Sequence, residues 1–118
     1  MEWPGVESRQ SREALLRALS RNVSTWVDVA QAQVVGQGWL DEDVQEAAAR
    51  LRMRLSDADD VEALAALLRW AMSGLTHSAL VTLDGGSAGC PTMDVQDSDG
   101  RSLGEALHEE WPDFAALD

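Results

Sequence analysis

Lysine, isoleucine and tyrosine are absent from this 118-residue chain, which has one cysteine, Cys90, and one phenylalanine, Phe114. A lone cysteine excludes an internal disulfide and a cysteine-rich metal site; before Pro91, Cys90 reads as a small loop residue. Without lysine, all nine basic residues are arginines, whose planar and permanently charged fork suits bidentate pairing. With abundant Ala, Leu, Val, Asp and Gly, this bias is the one expected of a GC-rich bacterial genome. No run approaches the ~20 apolar residues of a membrane-spanning helix. The opening MEWPGVESRQ lacks the basic and apolar regions of a secretory signal, so a soluble cytoplasmic protein with no membrane partner is expected.

Positive charge is the other scarcity. Twenty-one acidic residues against nine arginines leave a net charge of −12. Nucleic acid is therefore not expected as a direct ligand, because phosphate binding depends on clustered cationic side chains that release counterions. An acidic surface favours a basic protein partner, whose approach it steers. The competing reading is that the charge only maintains solubility. The deficit is graded along the chain: residues 1–40 hold four acids and four arginines, 41–80 eight and four, and 81–118 nine and one.

What remains is ample for a folded core. Apolar residues make up 45% of the chain, well above the level at which high charge predicts disorder. The length fits one domain spanning 1–118, with a helical part at 1–78 and an acidic hairpin-helix cassette at 79–118. No internal repeat, low-complexity tract or long linker interrupts it.

Helical periodicity dominates the first part. Leu15, Leu16 and Leu19 behind Ser8 and Ser11 predict a helix over about 8–20. Val23, Trp26, Val27, Ala30 and Val34 continue at spacings of three and four, either as a second helix from Ser24 or as one long helix to Val35. Gly36 and Gly38 end it. Trp39 and Leu40 are placed to staple the next helix, which starts from an Asp41 N-cap and presents Val44, Ala47, Ala48, Leu51 and Leu55. A further helix over 60–75 follows a capping stretch at 56–60, with Val61, Leu64, Ala65, Leu68, Ala71, Met72 and Leu75 on its stripe. Trp70 lies off that stripe and marks either a wider buried face or a contact surface.

From Ala79 the pattern turns β-prone. Ala79–Leu83 reads as a strand ending in Asp84-Gly85-Gly86, and Met93–Val95 as a weak second strand ending in the Asp97-Ser98-Asp99-Gly100 turn. Ser102 and Glu105 form a capping box for a final helix that uses Ala106, Leu107 and Trp111 and stops at Pro112. Phe114 and the Ala-Ala-Leu after it are expected to pack back as a short tail. The expected fold is therefore α+β: about four N-terminal helices packed as a bundle, a β-hairpin and a short last helix. Two strands are marginal alone, so the hairpin edge offers a route to a homodimer.

No catalytic signature accompanies this architecture. Asp97-Ser98-Asp99-Gly100 resembles part of a calcium loop, but alignment on Gly100 puts Val95 and Ala106 at essential ligand positions. Residues 85–89 lack the Walker lysine and stand among carboxylates. His77, Asp84 and His108 are the one set suited to zinc or iron, and they define an alternative small metal-dependent enzyme. His108 and Glu109 point about 100° apart on a helix and cannot share an ion. No cofactor is expected.

Tryptophan is the principal aromatic, five in all. Trp26 and Trp39 fit core stripes. Trp111, beside Glu109, Glu110 and Asp113, is expected to be partly exposed, an apolar anchor rimmed by carboxylates. The leading expectation is a non-enzymatic module that docks Asp97, Asp99, Glu109, Glu110, Trp111 and Asp113 on a basic protein, as an immunity protein or antitoxin would. A homo-oligomeric component built on the Trp70 face is the third class.

Overall fold

The structure, a computed structural model, describes residues 5–36, 42–86 and 91–115. Four helices follow one another: α1 (Val6–Val35), α2 (Glu42–Arg54), α3 (Ala58–Leu83) and α4 (Leu107–Ala115). Among the described residues there is no strand, and pairing is reduced to one isolated antiparallel bridge between Gln96 and Ser102. The expected α+β fold with a C-terminal β-hairpin is thereby corrected to a helical one, and dimerisation through a hairpin edge loses its basis. None of the described helices is long and apolar enough to cross a membrane. The Trp39-Leu40 staple, the Asp41 cap, Cys90 and the end of the tail, 116–118, lie outside the described residues.

The chain divides into two compact units, Met1–Arg21 with Ser73–Asp118 and Asn22–Met72, so α1 and α3 each supply residues to both. Of the two readings of α1, the single long helix is the one found. Its buried positions are Arg12, Leu16, Ser20, Val23, Val27 and Val34, a stripe at helical spacing with no break at Ser24.

The unit formed by Asn22–Met72 buries Val23, Val27, Val34, Ala48 and Val61. Gly36 closes α1 with a left-handed φ of 81°. The last turn of α1 has no basic residue of its own. Arg52 of α2 supplies one, donating from Nε to Val34 O at 3.1 Å and from Nη2 to Gln33 O at 2.9 Å. Asp57 caps α3, its Oδ1 accepting the Asp60 N–H at 2.9 Å.

The other unit contains the largest departure from expectation. Ala79–Leu83, read as a strand, is the last part of α3. A helix already nucleated at Asp57 gains a hydrogen bond for each residue it adds, whereas a strand here would need a partner it does not have. Thr82, one of the two β-branched residues of the run with Val81, is accommodated by donating its hydroxyl to Ser78 O at 2.9 Å. Asp84-Gly85-Gly86 then terminates α3 as a Schellman motif: Gly86 N–H reaches Val81 O at 2.8 Å and Gly85 N–H reaches Thr82 O at 3.1 Å. Met93 N–H returns to Leu83 O at 2.7 Å, so the segment after the loop is tied to the end of α3 and forms no strand.

The Asp97–Gly100 turn forms as read from the sequence, with Gly100 N–H on Asp97 O at 3.0 Å and a φ of 79° at Gly100. The Ser102 capping box does not. Positive φ at Gly104 (92°) and Ala106 (58°) keeps the chain out of helix until Leu107. Ser102 Oγ instead donates to Asp94 Oδ1 at 2.6 Å and accepts the Gly104 N–H at 3.1 Å. Nor does Pro112 stop α4. It lies inside the helix, which continues to Ala115 because Leu107, Trp111 and Phe114 share one buried face. Each fully buried side chain of that size contributes about 1.5–3 kcal/mol, enough to offset the hydrogen bond that proline cannot make.

Candidate functional site

The acidic C-terminal segment is held by one buried cation. Arg12, 4% exposed, donates from Nε to Glu110 Oε1 at 2.9 Å, from Nη1 to Leu103 O (3.2 Å) and Glu105 O (2.7 Å), and from Nη2 to Ala106 O (3.1 Å). Its planar fork thus fixes the irregular 103–106 backbone to α1 and neutralises Glu110. Ser20 Oγ donates to Phe114 O at 2.9 Å, and the Arg17 guanidinium lies 5.4 Å above the Phe114 ring. Trp111 is 2% exposed and donates Nε1–H to Ser73 O at 3.0 Å. The expectation of a half-exposed Trp111 anchor is corrected: its indole N–H finds a backbone partner, which lets the ring be buried whole.

The expected docking residues therefore divide. Glu110 and Trp111 are structural. Asp97 is half-buried, and its Oδ1 accepts the N–H groups of Asp99 and Arg101, each at 3.0 Å, while Oδ2 accepts Ser11 Oγ at 2.9 Å. The Arg101 backbone bond and then the Ser11 hydroxyl hold its carboxyl below the usual 3.8. Asp94 is held low as well, first by Ser102 and then by Gln96. Asp99, Glu109 and Asp113 are exposed, as are Asp94 and Glu105. Arg101, the one arginine of residues 81–118, is engaged with Glu7 at 2.9 Å, Asp99 at 3.1 Å and Asp97 at 3.7 Å.

His77, Asp84 and His108, far apart in sequence, do meet. Asp84 Oδ2 accepts the His108 backbone N–H at 3.0 Å and lies 2.6 Å from His108 Nδ1. The His77 ring stands edge-on to His108, centroids 5.7 Å apart. Asp84 is thus the cap of α4, reached from the end of α3, and His108 completes that cap. A cleft of about 500 Å³ opens beside them, walled by Asp94, Ser102, Glu105 and His108 among others. Among the described residues no group of three His, Cys, Asp or Glu side chains is placed to hold a metal ion.

A second surface was not legible as a site. In the Asn22–Met72 unit, Trp26, Val29 and Val34 of α1, Val44 and Leu51 of α2, and Leu64 and Leu68 of α3 line an apolar groove of about 340 Å³, in which Gln33 is the polar member. Trp26, expected in the core, is 61% exposed, with Val29, Val44 and Leu51 also open to solvent. The sequence signal was that α1 carries apolar residues on a face adjoining the Val23-Val27-Val34 stripe, more than one buried stripe requires. Arg12 was missed similarly: it lies four residues before Leu16 on the buried stripe, where an arginine calls for a partner. No protein-family model, curated protein or solved structure matches the chain.

Proposed function

We propose that this chain is an acidic, non-enzymatic binding protein of the bacterial cytoplasm that docks on a basic partner protein, in the manner of an immunity protein or antitoxin covering the cationic groove of a nucleic-acid-handling toxin. The observation that carries this reading is the exposure of Asp94, Asp99, Glu105, Glu109 and Asp113 on a segment whose one arginine is already engaged by Glu7, Asp97 and Asp99. The surface is left with uncompensated negative charge, which steers and orients a cationic partner. Trp111 has no part in the contact; it is the core under that surface. The pairing of half-buried Glu110 with Arg12 likewise moves the contact to Asp99, Glu109 and Asp113.

The test uses the full chain with Asp99→Asn, Glu109→Gln and Asp113→Asn together, exposed changes that leave the helical circular dichroism intact. The wild-type chain is expected to capture a basic protein from its native host at low salt and release it at high salt, and the triple variant to capture less, with a shallower salt dependence. Equal capture and equal salt dependence in the variant would overturn the proposed surface.

A further inference from the structure

We infer that the apolar groove between α1, α2 and α3 receives the apolar face of a basic amphipathic helix, so that a partner is anchored here while its cationic residues meet the carboxylates of the same unit. This deepens the proposed reading and rests on it. Three observations carry it.

Among the described residues the groove is unfilled apolar surface. Of the α2 residues facing it, Ala48 is buried, while Val44, Ala47 and Leu51 are open, and across the groove Trp26 is 61% exposed. Apolar surface left open in this way can bury a partner's apolar side chains. The groove's form then selects the occupant. It is walled by helices, and among the described residues of the unit no strand offers main-chain groups for an added strand. Recognition must come through side chains, and residues at i, i+3 or i+4 and i+7 of a helix suit a groove between helices.

Charge decides between a foreign helix and a second copy. Glu42 and Glu46 on α2, and Asp59, Asp60 and Glu62 at the start of α3, are exposed. The unit has nine acids against four arginines; Arg52 is committed to the α1 carbonyls and Arg69 donates to Ser24 Oγ at 3.0 Å, while Arg50 and Arg54 are exposed on α2. A second copy would bring a further −12 of like charge. A lysine- or arginine-bearing helix brings the opposite sign.

Fluorescence anisotropy of the full chain tests this with a labelled helical peptide bearing leucines on one face and lysines elsewhere. One control peptide has the leucines replaced by serine, and a second has the lysines replaced by glutamate. The leucine–lysine peptide is expected to bind, and both controls to bind weakly. Ala47→Gln, which projects a neutral polar chain into the groove from an exposed helix position, and Trp26→Ala, which removes a wall, are each expected to weaken binding roughly ten-fold or more, as loss of a hot-spot residue does. Circular dichroism confirms that each variant is folded. Serine–lysine peptide binding as tightly as leucine–lysine peptide overturns the groove, as does full binding by both variants. If the Asp99, Glu109 and Asp113 triple variant abolishes binding while Ala47→Gln does not, the acidic docking reading stands and the groove falls. A dimeric mass in light scattering that Ala47→Gln returns to monomer assigns the groove to a second copy and overturns the inference.

Discussion

Arg12 of α1 and Glu110 of α4, 98 positions apart in sequence, meet at 2.9 Å, and the same guanidinium closes on the carbonyls of Leu103, Glu105 and Ala106. One side chain thereby satisfies four acceptors, three of them in a stretch held out of helix by positive φ at Gly104 and Ala106. Replacing Arg12 by Ala leaves Glu110 unpaired and strands the carbonyls beside it. The expected cost is about 1–3 kcal/mol, that of leaving a buried acceptor unsatisfied, because Glu110, its side chain 30% exposed, recovers part of its hydration. Arg12→Lys is expected to recover only part of this, because a compact ammonium cannot reproduce the planar fork. Urea denaturation of the two variants measures both effects; wild-type stability in Arg12→Ala would remove Arg12 from its structural role.

Acid sensitivity follows from Asp94 and Asp97. Both carboxyls are held below their ordinary 3.8 by hydrogen bonds that only the ionised form accepts fully: Ser102 then Gln96 for Asp94, and Arg101 N–H then Ser11 Oγ for Asp97. A depressed pKa means that the folded state releases the proton more readily than the unfolded chain. The stabilisation is therefore complete above the unfolded value and is lost as pH falls through the folded one. Thermal melts are expected to be insensitive to these groups above about pH 5 and to lose stability below about pH 4. Asp97→Asn keeps an acceptor for the backbone N–H groups but does not titrate, so its melting temperature is expected to vary less over that range.

Asp84 supplies the cap that α4 lacks locally. Asp84→Ala removes the acceptor from the His108 N–H and imidazole and is expected to cost about 1 kcal/mol, with Asp84→Asn retaining most of it through its carbonyl oxygen. Amide hydrogen exchange at His108 localises the effect. Faster exchange in Asp84→Ala, but not in Asp84→Asn, is the expected pattern.

The helical half of the molecule was legible because its cues are local. Asp57 before a period of three and four, and Gly36 after a long stripe, specify a start and a stop wherever the chain folds. The C-terminal half depends on partners distant in sequence. Ser102 and Glu105 have the spacing of a capping box, yet the cap of α4 comes from Asp84, and the chain between them is held out of helix at Gly104 and Ala106. Ala79–Leu83 looks β-prone because a five-residue window does not show that α3 is already running through it. The acidic surface was legible as charge, whereas its division into structural Asp97 and Glu110 and exposed Asp99, Glu109 and Asp113 required knowing where Arg12 and Ser11 lie.

Two glycines on α3 and its end separate the helix from the turn that closes it. Gly74 lies inside the helix, and a Cβ there meets nothing within 4 Å. Gly74→Ala is therefore expected to stabilise the protein by roughly 0.5–1 kcal/mol, through helix propensity and reduced freedom of the unfolded chain. Gly85, at a φ of 86°, is the left-handed residue of the Schellman turn, and a Cβ there would collide with the Thr92 side chain. Gly85→Ala is expected to destabilise by at least about 1–2 kcal/mol from backbone conformation alone, with the collision adding to it. Opposite shifts in melting temperature for the two alanine variants are the expected result.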